Sequence, residues 1–211
     1  MGVAKLVEYP RNVWSSTILA VGYVAAAVLL LVRARVLLGA GLLLGAVATA
    51  PTGHLYAIVN LTNSDAVGPA GPGLWLDLTT ATLLVIAAVL VVAGLRSRLV
   101  HYRAPDVMSW LLIGCGVLST VTFFFEEMSL DNFNPGPDTA PLVLASVMAV
   151  VVPALAAMTG PRQFAEGLLT GWLFTVAATM AFSERFGFFG GTLVLLYGVA
   201  VVGFVRARTE H

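Results

Sequence analysis

The chain is poor in almost everything that chemistry in water uses. Only 10% of its 211 residues are charged, against about 25% in a soluble domain. It has one cysteine, Cys115, and one lysine, Lys5. A single cysteine excludes an intrachain disulfide, a multi-cysteine metal site and the cysteine pairs of a quinone-linked thiol oxidase. Lysine is absent from the last apolar run, which excludes a retinal Schiff base there. The formal net charge is +0, and no basic patch suggests nucleic acid. Membrane haem needs buried histidines, usually paired. Of the three histidines, His101 and His211 fall beside arginines outside the apolar runs, which leaves His54 alone.

What remains is hydrocarbon. Apolar residues make up 59% of the chain, in runs such as TLLVIAAVLVVAGL and LVLASVMAVVVPALAAM. A soluble surface cannot accommodate that much apolar area. About 20 such residues span a bilayer as a helix. Strands of a membrane barrel would alternate apolar and polar residues, and these runs do not. The expected fold is all-α, a polytopic integral membrane protein with one transmembrane domain over residues 1–211.

Seven spans are predicted: 13–32, 36–58, 74–95, 107–126, 140–158, 164–182 and 188–205. Arg33 and Arg35 separate the first two, which must form a tight hairpin. Pro51 and Gly53 break the last turns of the second. Pro153 predicts a kink in the fifth, and Gly160-Pro161-Arg162 a turn after it. With seven spans, Arg33, Arg35, Arg96, Arg98, Arg103, Arg162, Arg206 and Arg208 share one side. Lys5, Arg11 and Arg185 lie on the other. The positive-inside rule then places the N-terminus outside and the C-terminus in the cytoplasm. Six spans would scatter the arginines. The start, MGVAKLVEYPRNVW, is not a clean secretory signal, and no processing is expected. The Ala/Val/Gly/Leu/Arg bias fits a GC-rich genome, and the expected location is a prokaryotic plasma membrane.

Two small-xxx-small pairs, Gly41/Gly45 and Gly167/Gly171, allow close helix approach. Packing within one chain is the first reading and a dimer face the second. Asp65, Asp77, Glu126, Glu127, Asp131, Asp138 and Glu184 all fall on the outer side, densest in the stretch from Thr120 to Asp138.

On the fourth span Cys115, Ser119, Thr122 and Glu126 share one helical face, with Met108 and Leu112 below. Val117, Val121, Phe124 and Phe125 form the opposite, lipid-suited face. A polar stripe ending in a carboxylate belongs in the bundle interior or a wet cavity, unless Glu126 simply sits among headgroups. Asp77 lies in the first turn of the third span, where the helix dipole favours a carboxylate; a helix-start role is its plainer reading. His54 sits near Tyr56 at the same outer level, and a lone histidine is more often structural. Thr175, Thr179 and Ser183 line one face of the sixth span, and Glu184 and Arg185 are placed to pair.

These residues outline an outward-opening polar pocket with Glu126, Glu127, Asp77, His54, Ser119 and Thr122 as binding candidates. Burial there would raise a carboxylate's pKa and suit it to proton handling. His54 with two carboxylates has the donors for a divalent metal, but no spacing supports one, so no metal or cofactor is expected. Trp75, Trp172 and Phe123 to Phe125 read as interface anchors before they read as the lining of a lipid slot.

Two seven-span families can be compared. The Pro-Gln motif of PQ-loop sugar carriers is missing. Glu8, Asn12 and Ser16 resemble the first-span pattern of alkaline-ceramidase-type hydrolases. Their HxxxH pair is absent, which removes the zinc site, and the chain is assigned to neither family. Three function classes fit: a handler of a small solute, ion or proton; a membrane-embedded enzyme acting on a lipid or isoprenoid with carboxylate acids; and an accessory or assembly subunit. The partners expected are the bilayer and a small solute or lipid, with no nucleic acid.

Overall fold

The computed structural model describes residues 20–48, 72–99, 104–129, 139–181, 197–198 and 200–205. At positions 72–78, 80–81, 122–129, 139–142, 145 and 179–181 it describes the helix and not the side chain. The described residues are all-helical. They form α1 (Ala20–Leu31), a single 3-10 turn at Arg33–Arg35, α2 (Val36–Val47), α3 (Pro72–Leu99), α4 (Val107–Ser129), α5 (Thr139–Met158) and α6 (Arg162–Ala181). A last helix, α7, holds residues 197–198 and 200–205.

Local chemistry sets the boundaries. Val32 adopts an extended backbone, which suits a β-branched residue and breaks α1 from the arginine turn. The chain bends there by 115°, a sharp elbow and not the closed hairpin expected. Gly39 makes room for the elbow: a Cβ on it would stand 2.8 Å from the Leu30 amide nitrogen. Pro72 opens α3, at the position where its missing N–H has no helical partner to lose. Asp106 caps α4, its Oδ1 accepting from the Ser109 N–H and the Ser109 hydroxyl, both at 2.7 Å. Gly160 and Pro161 make the turn before α6, and the Pro161 carbonyl accepts from Ala165 N–H at 3.2 Å. Helix α5 continues through Pro153.

Two glycine pairs hold the centre. A Cβ on Gly41 would fall on the Phe164 carbonyl and 2.7 Å from the Leu168 nitrogen. One on Gly45 would fall on the Leu168 carbonyl and 2.7 Å from the Trp172 nitrogen. The seam is reciprocal, since Cβ atoms on Gly167 and Gly171 would strike the carbonyls of Leu38 and Leu42. Helices α2 and α6 therefore touch backbone to backbone and run parallel. The within-chain reading of both glycine pairs is the observed one.

The other directions follow from side-chain register. Gly116 faces Ala149 and Thr120 faces Ser146, so α4 and α5 are antiparallel. Tyr197 meets Gly116 and Gly203 lies near Met108, so α7 runs opposite to α4. Leu84 and Ala88 pack with Leu43 and Val47, so α3 lies against α2.

Leu112, Leu169 and Phe204 are fully buried, yet many other large apolar side chains point outward. Val21, Val24, Val28, Leu83, Ile86, Val89, Leu90, Leu111, Val117, Leu118, Val147, Leu155 and Val202 are exposed. Small residues fill the contacts: Ala26, Ala40, Ala156, Ala157 and Ala165 are fully buried. Among the described residues one helix, Thr82–Leu99, is long and apolar enough to cross a membrane, or two if the bent α1–α2 pair counts as one span. Its window is only 6% buried against the rest of the chain.

The glycine seam gives a test by contrast. Gly45→Ala and Gly167→Ala force the backbones apart and should each cost about 1–3 kcal/mol, read as a fall in thermal unfolding midpoint. Gly94→Ala meets nothing within 4 Å and should hold or raise the midpoint through helix propensity, worth up to about 1 kcal/mol.

Candidate functional site

The inner face of α4 is where sequence and structure meet most closely. Ser119 and Leu112 are buried and Cys115 is half-buried, while Val117 and Val121 on the far side are exposed. Met108 sits at the edge of the stripe, 40% exposed. The polar stripe therefore turns inward over the part whose side chains are described.

Opposite it stands Tyr197 of α7. Its hydroxyl donates to the Ala149 carbonyl at 2.7 Å, and Ser119 and Cys115 lie against the same phenol. The reason for the Ala149 bond lies in α5. Pro153 is four residues after Ala149 and carries no N–H, so the Ala149 carbonyl has no donor within its own helix. Tyr197 supplies that donor from another helix. Gly116 opens the gap, since a Cβ there would come 2.5 Å from the Ala149 oxygen and 2.8 Å from the Tyr197 hydroxyl.

Further hydroxyls extend this layer. Thr120 Oγ1 donates to the Ser146 carbonyl at 3.2 Å. Thr175 Oγ1 donates to Gly171 at 2.9 Å and is buried, so the α6 threonine stripe also begins inward. Ser146 is 7% exposed, and its hydroxyl has no hydrogen-bond partner. Trp172 packs edge-on against Tyr197, with ring centroids 4.8 Å apart. At 4% exposure it is a core side chain and not the interface anchor expected.

Helix α4 extends through Ser129, so positions 122, 126 and 127 lie on a continuous helix. Position 126 falls two turns beyond Ser119 on the same face. The side chains of Thr122, Glu126, Glu127 and Asp77 lie outside the described residues, as does all of His54. Asp77 is in the second turn of α3 and not its first, because the helix starts at Pro72; a helix-start role is weaker for it than expected. Among the described helices, contacts run α3 to α2, α2 to α6, α6 to α5 and α5 to α4, extensive at the α2–α6 seam and slight between α3 and α2, with Asp77 and Glu126 carried on the two end members.

Among the described residues no three His, Cys, Asp or Glu side chains converge as metal ligands. The described layer is made of neutral hydroxyls, of which Thr120, Thr175 and Tyr197 serve backbone carbonyls. Sequence reading missed Tyr197, although the Pro153 position flagged a carbonyl needing an outside donor. It also missed Asp106 as a cap. No family model, curated protein or solved structure matches the chain.

The Tyr197 bond makes a coupled prediction. Tyr197→Phe orphans a buried carbonyl and should cost about 1–3 kcal/mol. In a Pro153→Ala background the helix N–H returns, and the same change should cost markedly less. A double-mutant cycle by thermal or denaturant unfolding measures the difference. Ser146→Ala should be neutral or stabilising, because the hydroxyl it removes is buried and unpartnered.

Proposed function

We propose that the chain is a multi-pass protein of a prokaryotic plasma membrane that handles protons or small cations through the acidic outer end of the α4 inner face. Seven spans, with the N-terminus outside and the C-terminus in the cytoplasm, fit the alternating directions of the described helices. Spans two and six both run inside to outside in that layout, in keeping with the parallel α2–α6 seam. Large apolar residues outside and small ones at the contacts suit a bundle in lipid.

The observation that carries the reading is the inward turn of Ser119. Helical register then takes the same face through Thr122 to Glu126, which would bring a carboxylate to the interior from the outer side. Glu127 follows on the same helix, while Asp77 and His54 are assigned to the same outer level by the span order alone, Asp77 on a helix that does not neighbour α4 in the contact series. A carboxylate there, partly withdrawn from water, would exchange a proton nearer neutrality than a free one. An accessory role is the second reading, because most residues of Thr82–Leu99 in α3 are not buried and a partner's helix could cover the exposed apolar ones.

The test is ion or proton flux into proteoliposomes under an imposed pH gradient, followed with an entrapped pH dye. The wild type should dissipate the gradient. Glu126→Gln should abolish flux, and Asp77→Asn should reduce it several-fold, with insertion and helix content unchanged. Flux that survives both substitutions removes the acidic site, and no flux in the wild type favours the accessory role.

A further inference from the structure

The bundle has a second charged region that the proposed site leaves unused. Arg33 and Arg35 sit at the elbow before α2, and Arg96 and Arg98 close α3; all four are exposed. Ala88 of α3 packs in the cluster of Leu43 on α2. Arg35 lies eight residues before Leu43 and Arg96 eight after Ala88, so at about 1.5 Å of rise per residue each stands about 12 Å from that contact. In the proposed seven-span layout the two helices run in opposite directions, which gathers the four guanidiniums on one end of the pair.

No carboxylate among the described residues neutralises them. Of the two acids described near this end, Asp106 accepts from Ser109, and Glu166 is held by Arg162 one turn away. Directly outward of the arginines, α3 presents Val89, Leu90 and Val92 to its surroundings. Cationic groups below an uncovered aliphatic face match one kind of occupant: a phosphate-bearing headgroup with acyl chains above it. A free anion would use the arginines and leave the aliphatic face bare.

We propose that this end of α2 and α3 binds anionic phospholipid, with the headgroup phosphate among Arg33, Arg35, Arg96 and Arg98 and the chains along Val89, Leu90 and Val92. The inference rests on the membrane reading above, but not on the acidic outer site. Guanidinium forks hold phosphate through paired N–H donors, and lysine would not substitute fully. The attraction is electrostatic at an exposed site, so it weakens as salt rises.

The full chain is extracted from vesicles of phosphatidylcholine containing phosphatidylglycerol, and the retained lipid is counted by native mass spectrometry. The wild type should keep phosphatidylglycerol over phosphatidylcholine. In R33Q/R35Q/R96Q/R98Q that preference should fall about tenfold or more. Each half, R33Q/R35Q or R96Q/R98Q, should lose part of it, and Arg162→Gln, whose guanidinium is already committed to Glu166, should keep it. Equal preference in the wild type and the fourfold variant overturns the proposal. So does full displacement of the lipid by inorganic phosphate, which would mark a free-anion site. Alkaline washing of the same membranes separates the two levels. A chain that stays in the washed membrane without the preference refutes the lipid site alone. A chain that washes out refutes the membrane reading as well.

Discussion

Everything in this bundle depends on two backbones being allowed to touch. At the α2–α6 seam, Gly41, Gly45, Gly167 and Gly171 each aim the hydrogen in their Cβ direction at a carbonyl of the facing helix. Such Cα–H to carbonyl contacts are weak singly, about 0.5–1 kcal/mol each. They also bring the two helices close enough for dispersion to act along the whole seam. In water the same job is done by large side chains leaving solvent. Here many large side chains stay outside, as Val89, Leu111 and Leu155 do, and the small residues Ala40, Ala156, Ala157 and Ala165 share the contacts with Leu112, Leu169 and Phe204.

Burial makes every unpaired backbone group expensive. Pro153 creates one such group at Ala149. The structure answers with a phenol from α7, and with a glycine on α4 that leaves room for it. Three helices are thereby tied at one point: α5 supplies the acceptor, α7 the donor and α4 the space. Trp172 on α6 then packs against the same ring. The polar layer is a consequence of how a helix carrying proline is accommodated. It also gives the inner face of α4 its hydroxyl-lined character, and so the direction in which any carboxylate further along that face would look.

Much of this was readable from residue order. Helix limits follow apolar runs, and the predicted 140–158 and 164–182 become Thr139–Met158 and Arg162–Ala181. The glycine pairs were legible because their spacing has one common use. Ser119 was legible because a 3.6-residue period puts it beside Cys115 and opposite Val117. What the sequence concealed is long-range. Nothing local says that residue 197 reaches Ala149, since that requires knowing which helices are neighbours. The burial of Trp172 was hidden for the same reason: a tryptophan near a span end looks like an anchor until the seam beside it is known. The elbow at Val32 is 115° because Gly39 lets α1 lean on α2, a contact no charge pattern announces. The acidic candidates are legible only as positions on helices, at 77, 126 and 127.

On the proposed membrane reading, the exposed apolar side chains face lipid while Trp172 lies inside the bundle. Two tryptophans report on it directly. Trp110 is 62% exposed and Trp172 is 4% exposed. Single-tryptophan versions of the chain, reconstituted in vesicles with lipids brominated along the acyl chain, would be read by fluorescence quenching. Strong quenching of Trp110 with Trp172 protected is the result the account predicts. Equal quenching of the two would contradict the inside-out packing, and quenching of neither would contradict the bilayer itself.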